Sequence, residues 1–335
     1  MALRIGQVLR GMKEKYKLLY PLKGSTVFKA KVLSSPSIQE EWAIIKTAVT
    51  DEEKMCLRRE YRNYGIDAIT SSRYIRALCD TIRLDENQDN PSCLVFEWMD
   101  RDLRSITAPE FRGNPILPKV VSKAVLSALN VLKTLDAVHT DVNPNNIYVS
   151  YVDGSSPIAK LGDLGNAIKD ASATQRLQSL PCRAPEVWQG FPCRHASDIW
   201  SFGVTLTTQS SPLALFGPSD KTIDGQTEAW CIAKIIRLVG PLSYPVNFQM
   251  YKEEFKLAEQ LAVMDHPLGS MKLITRGNWR EELQHIPDPP VPLDLLDFIE
   301  SLLIINPDKR PTASDALLHP YLQSIPKELD KSGVC

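Results

Sequence analysis

Three side chains able to handle a metal ion or a proton stand within eight residues of one another: His139, Asp141 and Asn146. They lie in the polar, proline-containing stretch Val138 to Val149. A further carboxylate, Asp163, follows inside Lys160-Leu161-Gly162-Asp163-Leu164-Gly165. Polar groups so dense are costly to bury unless they have partners or chemistry to perform. A hard cation takes oxygen ligands from Asp and Asn, and a spare Asp can accept the proton of a hydroxyl. Two carboxylates and a carboxamide therefore suit a magnesium–nucleotide site.

Such residues need elements to hold them. Upstream, strand signals dominate: 17–20 and 26–32 flank a turn at 21–25, and 41–48 forms a third strand, making an antiparallel meander. Thr50 with Glu53 three residues on is a capping box that starts a helix. On that helix Cys56, Glu60 and Tyr64 share one face. Segments 75–84 and 93–99 read as two more strands, giving five strands and one helix. Residues 1–14 read as a short flexible lead or a first helix. From Asp100 on the chain turns helical. Val121, Ala124, Val125, Ala128, Leu132 and Leu135 form an apolar stripe that runs into the polar loop. A small β segment at 146–149 and 158–161 follows, then helical patterns at 196–208, 225–239, 251–263, 293–304 and 313–323. The expectation is an α+β fold in two unequal parts: a lead at 1–14, a small lobe at 15–99, a larger one at 100–325 and a tail at 326–335.

Bulk composition narrows the function classes. The chain has 335 residues, 43% hydrophobic, with a net charge of −1. That length supports substantial cores. The balanced charge carries no polybasic field for nucleic acid or anionic membrane. Seven cysteines occur without a CxxC pair or a zinc spacing, as in a reducing compartment. The first 21 residues lack a signal-peptide apolar core, and no run approaches the ~20 apolar residues of a membrane span. We expect a cytoplasmic or nuclear monomer that engages neither nucleic acid nor membrane.

At this point the residues resemble the eukaryotic protein kinases. That family's template needs a strand Lys, a helix Glu, a loop Asp and Asn, a metal-binding Asp and a later Ala-Pro-Glu. Here stand, in order, Lys46 after Ala43-Ile44-Ile45, then Glu60, Asp141, Asn146, Asp163-Leu164-Gly165 and Ala184-Pro185-Glu186. Asp198-Ile199-Trp200-Ser201-Phe202-Gly203 looks like the family's Asp-x-Trp-x-x-Gly helix, and Arg310 follows late. The stretch Leu94 to Leu103, Arg183, and an insertion-like segment near 213–292 are similar to the CMGC group of cyclin-dependent, MAP and SR-protein kinases.

The resemblance implies a bilobal kinase-like fold, ATP and Mg2+ as cofactors, and a protein substrate with a Ser or Thr acceptor. It implies Asp141 as catalytic base, and Asn146 and Asp163 as magnesium ligands. Lys46 would hold the α- and β-phosphates, positioned by Glu60. Glu97 and Met99 would offer backbone groups to the adenine edge, with Phe96 behind the ring. Glu186 and Arg310 would form a structural ion pair, and His139 and Asp198 would hold the loop. Ser179 keeps a hydroxyl that favours Ser/Thr acceptors.

Three departures stand out. The phosphate-covering segment Pro21 to Val27 has a single glycine, Gly24, with Ser25 and Thr26 offering hydroxyls. Fewer glycines leave fewer backbone N–H groups to approach phosphates. Thr140 replaces the Arg that pairs with a phosphorylated activation loop, so activity is expected not to depend strongly on phosphorylation of Thr174. Asn143 replaces a Lys that offsets charge on the transferring phosphoryl group. These departures keep open a second reading, a pseudokinase that binds nucleotide or scaffolds with little or no transfer. A small-molecule phosphotransferase shares a His-x-Asp…Asn loop, but Ala184-Pro185-Glu186, the Asp198 helix and Arg310 argue against it.

Overall fold

The computed structural model describes residues 3–33, 41–85, 89–154, 156–169, 175–245, 249–267 and 269–323. Thr174 and the 326–335 tail lie outside them. The chain forms two compact units. One comprises Met1–Asp100 with Lys160–Ala167; the other comprises Arg101–Ala159 with Ile168–Cys335.

The first unit is built on strands β1 (Val8–Arg10), β2 (Lys15–Lys23), β3 (Val27–Val32) and β4 (Trp42–Thr47). Helices α1 (Asp51–Asn63) and α2 (Asp67–Thr70) follow, then β5 (Leu78–Ile82) and β6 (Cys93–Glu97). The sheet order is β1-β2-β3-β4-β6-β5, antiparallel throughout. Alternating side chains enter one core: Leu9, Tyr16, Leu18, Phe28, Ala30, Ala43, Ile45, Ile82, Cys93 and Val95. Period-two alternation puts these residues on one face; in β4 and β6 the other face is buried as well, at Ile44, Leu94 and Phe96. Thr50 and Glu53 cap α1 reciprocally.

The sheet has six strands, not five, and the expected lead is not a helix. Val8–Arg10 pairs with Lys15–Lys17, and only Leu9 of its three residues is buried. One inward residue gives no readable period. The anchor of this hairpin is distant in sequence. Backbone N–H groups of Met12, Lys13 and Glu14 donate to the carboxylate of Asp80 on β5 at 3.0, 3.0 and 3.1 Å. The Tyr16 hydroxyl donates to it as well, at 3.0 Å. Gly11 is needed here, because a Cβ would overlap that carboxylate. Strand β2 also runs through Pro21, which was expected in a turn. β1 pairs only as far as Lys17, so the missing N–H of Pro21 interrupts no ladder on that side.

The second unit opens with β7 (Arg101–Asp102), α3 (Ala108–Gly113), α4 (Leu117–Thr134), β8 (Ala137–Val138) and β9 (Ile147–Ser150). After β10 (Ile158–Leu161) come β11 (Ile168–Lys169), α5 (Pro185–Trp188) and α6 (His195–Ser210). It closes with α7 (Thr227–Leu238), α8 (Gln249–Val263), α9 (Trp279–Gln284), α10 (Leu293–Leu302), α11 (Ala313–Leu317) and α12 (Pro320–Gln323). Helix α6 is the spine: Trp200, Phe202, Val204 and Leu206 are all fully buried. The apolar stripe of α4 faces the core, as its period demands.

Two helix expectations change. The 313–323 pattern is two short helices, because Pro320 can start a helix but not continue one. Helix α3 was not anticipated, although Thr107 and Glu110 form a capping box around Pro109 that marks its start. Within 213–292, Lys234 is fully buried against Asp220 at 2.9 Å, and Trp230 donates to the same carboxylate. The core-facing residues of α7 show this segment filling its own unit.

Candidate active site

In the first unit Lys46 on β4 lies between two carboxylates. Its Nζ is 2.8 Å from Glu60 Oε2 and 2.8 Å from Asp163 Oδ1. The register of β4 aims the lysine at α1, whose buried face presents Glu60. The Glu60 side chain is 1% exposed and that of Lys46 23%, so the pair is sheltered. Burial works against the charge of Lys46, but the two carboxylates outweigh it and hold its pKa above the ordinary value. Burial pushes the Glu60 carboxyl up, against the pull of Lys46 and a hydrogen bond from the Leu164 N–H.

Asp163 sits in the left-handed region, with φ at +58°, which Asp tolerates better than most residues. It caps the short turn Leu164–Asn166. Helix α1 fastens that turn: Asn63 donates to Leu164 O at 2.9 Å and Arg59 to Gly165 O at 3.3 Å. One ammonium faces two carboxylates. Hard oxygen of the Asp163 kind suits a divalent cation.

The adenine-edge expectation meets a residue that the sequence reading missed. The Glu97 N–H donates to Ala77 O at 3.1 Å. Its carbonyl accepts from Arg76 Nε at 3.1 Å and Nη2 at 2.8 Å. The Glu97 carboxylate holds Lys160 at 2.7 Å and the Ala77 N–H at 2.6 Å. Phe96 and Met99 are buried. Gly24 sits at the tip of the β2–β3 turn with φ at +54° and open space around it.

In the second unit, the loop after β8 is hung from Asp198 on α6. The carboxylate accepts the His139 N–H at 2.8 Å and the Thr140 N–H at 3.0 Å. That grip holds Thr140 at φ +65°, a strained conformation for a β-branched residue. Asp141 follows, and its side chain meets two carboxamides. Asn143 Nδ2 lies 2.7 Å from Oδ1, and Asn146 Nδ2 lies 2.9 Å from Oδ2. Asn143 also caps the next turn through the Asn145 N–H. Asn146 turns its amide nitrogen to Asp141, which leaves its oxygen as the acceptor.

Burial lifts the Asp198 carboxyl to about 6, against the pull of His139 and of the two N–H donors. A carboxyl raised in this way favours folding when protonated. Its contribution is fully present below the ordinary aspartate pKa and is lost as pH rises through about 6. Asp198→Asn removes that proton and sets an amide N–H against backbone donors. The variant is expected to melt below wild type at pH 7.5. The gap should widen as pH falls toward 5, since only wild type gains there. A gap independent of pH would show that Asp198 does not titrate in this window.

Glu186 and Arg310 pair at 2.9 and 3.1 Å, both buried. Gln178, which no motif singled out, ties the neighbouring segment together. It donates to Ser197 O at 3.0 Å and Ser201 Oγ at 2.7 Å, and accepts the Ala184 N–H at 3.0 Å. Arg183 braces the same backbone through Leu177 O and Gln178 O, and its guanidinium lies over the Trp188 ring. Ser179 stands just before the turn Leu180–Cys182, in extended backbone.

A family model described as the protein kinase domain matches residues 6–322. The chain belongs to the protein kinase family. It is 28% identical over 253 residues to serine/threonine-protein kinase prp4 of Schizosaccharomyces pombe, covering 69% of this chain and 51% of that protein. It is 25% identical over 344 residues to serine/threonine-protein kinase prpf4B of Dictyostelium discoideum, covering 96% of this chain and 40% of that protein. Cyclin-dependent kinase 11 of the same organism is 26% identical over 294 residues, covering 82% of this chain and 73% of that protein. The chain thus spans about half or less of the length of the first two relatives. Likeness to proteins of these names makes it a CMGC-like member.

Proposed function

We propose that the chain transfers the γ-phosphoryl group of Mg–ATP to a Ser or Thr hydroxyl of a protein. The observation that carries this is the Lys46–Glu60–Asp163 cluster: a sheltered cation positioned by one carboxylate, beside a second. Lys46 would bind the α- and β-phosphates, and Asp141 would orient the acceptor hydroxyl and take its proton. The donor set fits magnesium, since Asp163 and Asn146 both offer hard oxygen. Among the described residues no cluster of three or more His, Cys, Asp or Glu side chains is placed to hold a metal ion. Phosphate and water would therefore complete the shell, which is magnesium's habit. Magnesium, when bound, neutralises charge on the phosphates. Gly24 and Met99 would contribute backbone contacts to the nucleotide.

The pseudokinase reading draws on one observation. Asn143 offers a neutral amide where a cation is usual, and it bonds the candidate base directly. The carboxylate retained at Asp141 favours transfer over that reading. The experiment is labelled phosphate transfer from ATP to a Ser-rich protein, with Asp141→Ala as control. Signal from wild type, lowered at least ~100-fold in the variant, is the expected result. Equal signal from both proteins would overturn the assignment.

No helix among the described residues is long and apolar enough to cross a membrane. We further propose a monomer acting in the cytoplasm or nucleus.

A further inference from the structure

Helix α8, inside the insertion-like stretch, presents Tyr251 and Glu254 about one turn apart. Arg176 is held between this helix and Trp188 of α5. Its guanidinium lies 3.6 Å from the centre of the Tyr251 ring and 5.2 Å from the Trp188 ring. Nη2 stands 2.6 Å from Glu254 Oε2 and also donates to the Trp188 carbonyl. The side chains of Arg176 and Glu254 are only 10% and 20% exposed. Stacking on aromatic faces and pairing with a carboxylate both strengthen as water is excluded. Nothing in the proposed reaction uses this contact.

What Arg176 holds is the leading end of segment 176–183. Two residues on, Gln178 donates to Ser197 O and Ser201 Oγ on α6. Ser201 in turn donates to Cys182 O at 2.7 Å. Asp198, beside them on α6, carries the His139 and Thr140 N–H groups of the Asp141 loop. One stretch of α6 therefore carries both the loop of the candidate base and the segment that holds Ser179. Gln178 stands at φ +71°, a conformation that persists only where the surroundings over-determine it. Helix α6 grips that residue from one side, and Arg176 fixes the chain just before it from the other. We propose that Arg176 is a positioning residue for the protein acceptor. Through it α8 sets segment 176–183 with a carboxylate of the chain's own, Glu254, in place of a phosphate added to the segment. This rests on the reading of Asp141 as the base of a protein phosphotransfer.

The test measures transfer from Mg–ATP to dephosphorylated casein by the full chain, with kcat and the KM of each substrate. Arg176→Met keeps an unbranched stem and removes the charge; Glu254→Gln keeps the shape of its side chain and removes the carboxylate. Each should raise the KM for casein about tenfold, since a small misplacement of a positioning element is costly. The KM for ATP should stay within about twofold of wild type, because the loss falls on acceptor binding alone. Arg176→Lys, which keeps the charge, should recover part of the loss. The double variant Arg176→Met with Glu254→Gln should be no worse than Arg176→Met, because both changes remove one pair. Thr174→Ala should keep the wild-type KM for casein. Melting curves report that each protein is folded. A folded Glu254→Gln protein with the wild-type KM for casein overturns the inference, and so does a rise in both KM values together. A Thr174→Ala protein as impaired as Arg176→Met overturns it too, by showing that phosphate sets the segment. These outcomes leave the transfer reaction standing. Wild type no more active than Asp141→Ala removes that reaction and the inference with it.

Discussion

Arg310→Ala is expected to lower the stability of the second unit by about 3–5 kcal/mol, the usual cost of removing one partner from a buried ion pair. For a unit of this size that corresponds to a fall in melting temperature of roughly 10 °C. The reason lies in how completely the guanidinium is used. Its five N–H donors have five acceptors. Nε donates to Ile304 O at 2.9 Å. Nη1 donates to Glu186 Oε1 at 2.9 Å and Ala196 O at 2.5 Å. Nη2 donates to Glu186 Oε2 at 3.1 Å and Ile305 O at 3.2 Å. Truncation leaves three carbonyls without these donors and strands a carboxylate whose other ligand is the Ser197 hydroxyl at 2.7 Å. The stranded charge dominates the cost, so the double variant Arg310→Met with Glu186→Leu should recover much of the loss. Thermal melting of the single and double variants checks this. An unchanged midpoint for Arg310→Ala would contradict it, and so would a double variant no better than the single.

The parts of this site that were legible in the sequence rest on local patterns. Lys46 was readable because a β-rich run ends on it. Glu60 was readable because the Thr50–Glu53 capping box fixes the phase of α1 and so decides which Glu is buried. Asp198 was readable as scaffold only through the resemblance to the kinase family; the two N–H bonds it accepts are the form that support takes. What stayed hidden acts through the backbone of distant residues. Asp80 builds the β1–β2 turn from some 66 residues away, and no pattern of side chains announces an acceptor for N–H groups. Arg76 is the same case. It reads as an ordinary charge before a strand, and only the fold brings its fork onto the Glu97 carbonyl. Gln178 carries no motif, yet its φ of +71° and three hydrogen bonds make it a brace of the segment before Ala184-Pro185-Glu186.

Asp163→Asn is expected to reduce magnesium-dependent nucleotide affinity at least about tenfold, a loss no smaller than that for an outer-shell partner of a metal, while barely moving the melting temperature. The substitution is clean for a structural reason. Asp163 is held at φ +58°, and Asn is among the few residues that occupy that region readily. Its side-chain oxygen can still accept the Gly165 N–H that closes the turn. Lys46 keeps Glu60 at 2.8 Å, so no buried charge is stranded. What disappears is one negative charge, and with it the feature that makes the cluster attractive to a divalent cation: two carboxylates around one ammonium become one. Nucleotide titration with and without magnesium reads the effect. The difference between the two titrations, large in wild type, should collapse in the variant. Should the Asp163→Asn protein preserve the full magnesium dependence, Asp163 is no metal ligand, and its carboxylate serves only to hold Lys46 in place.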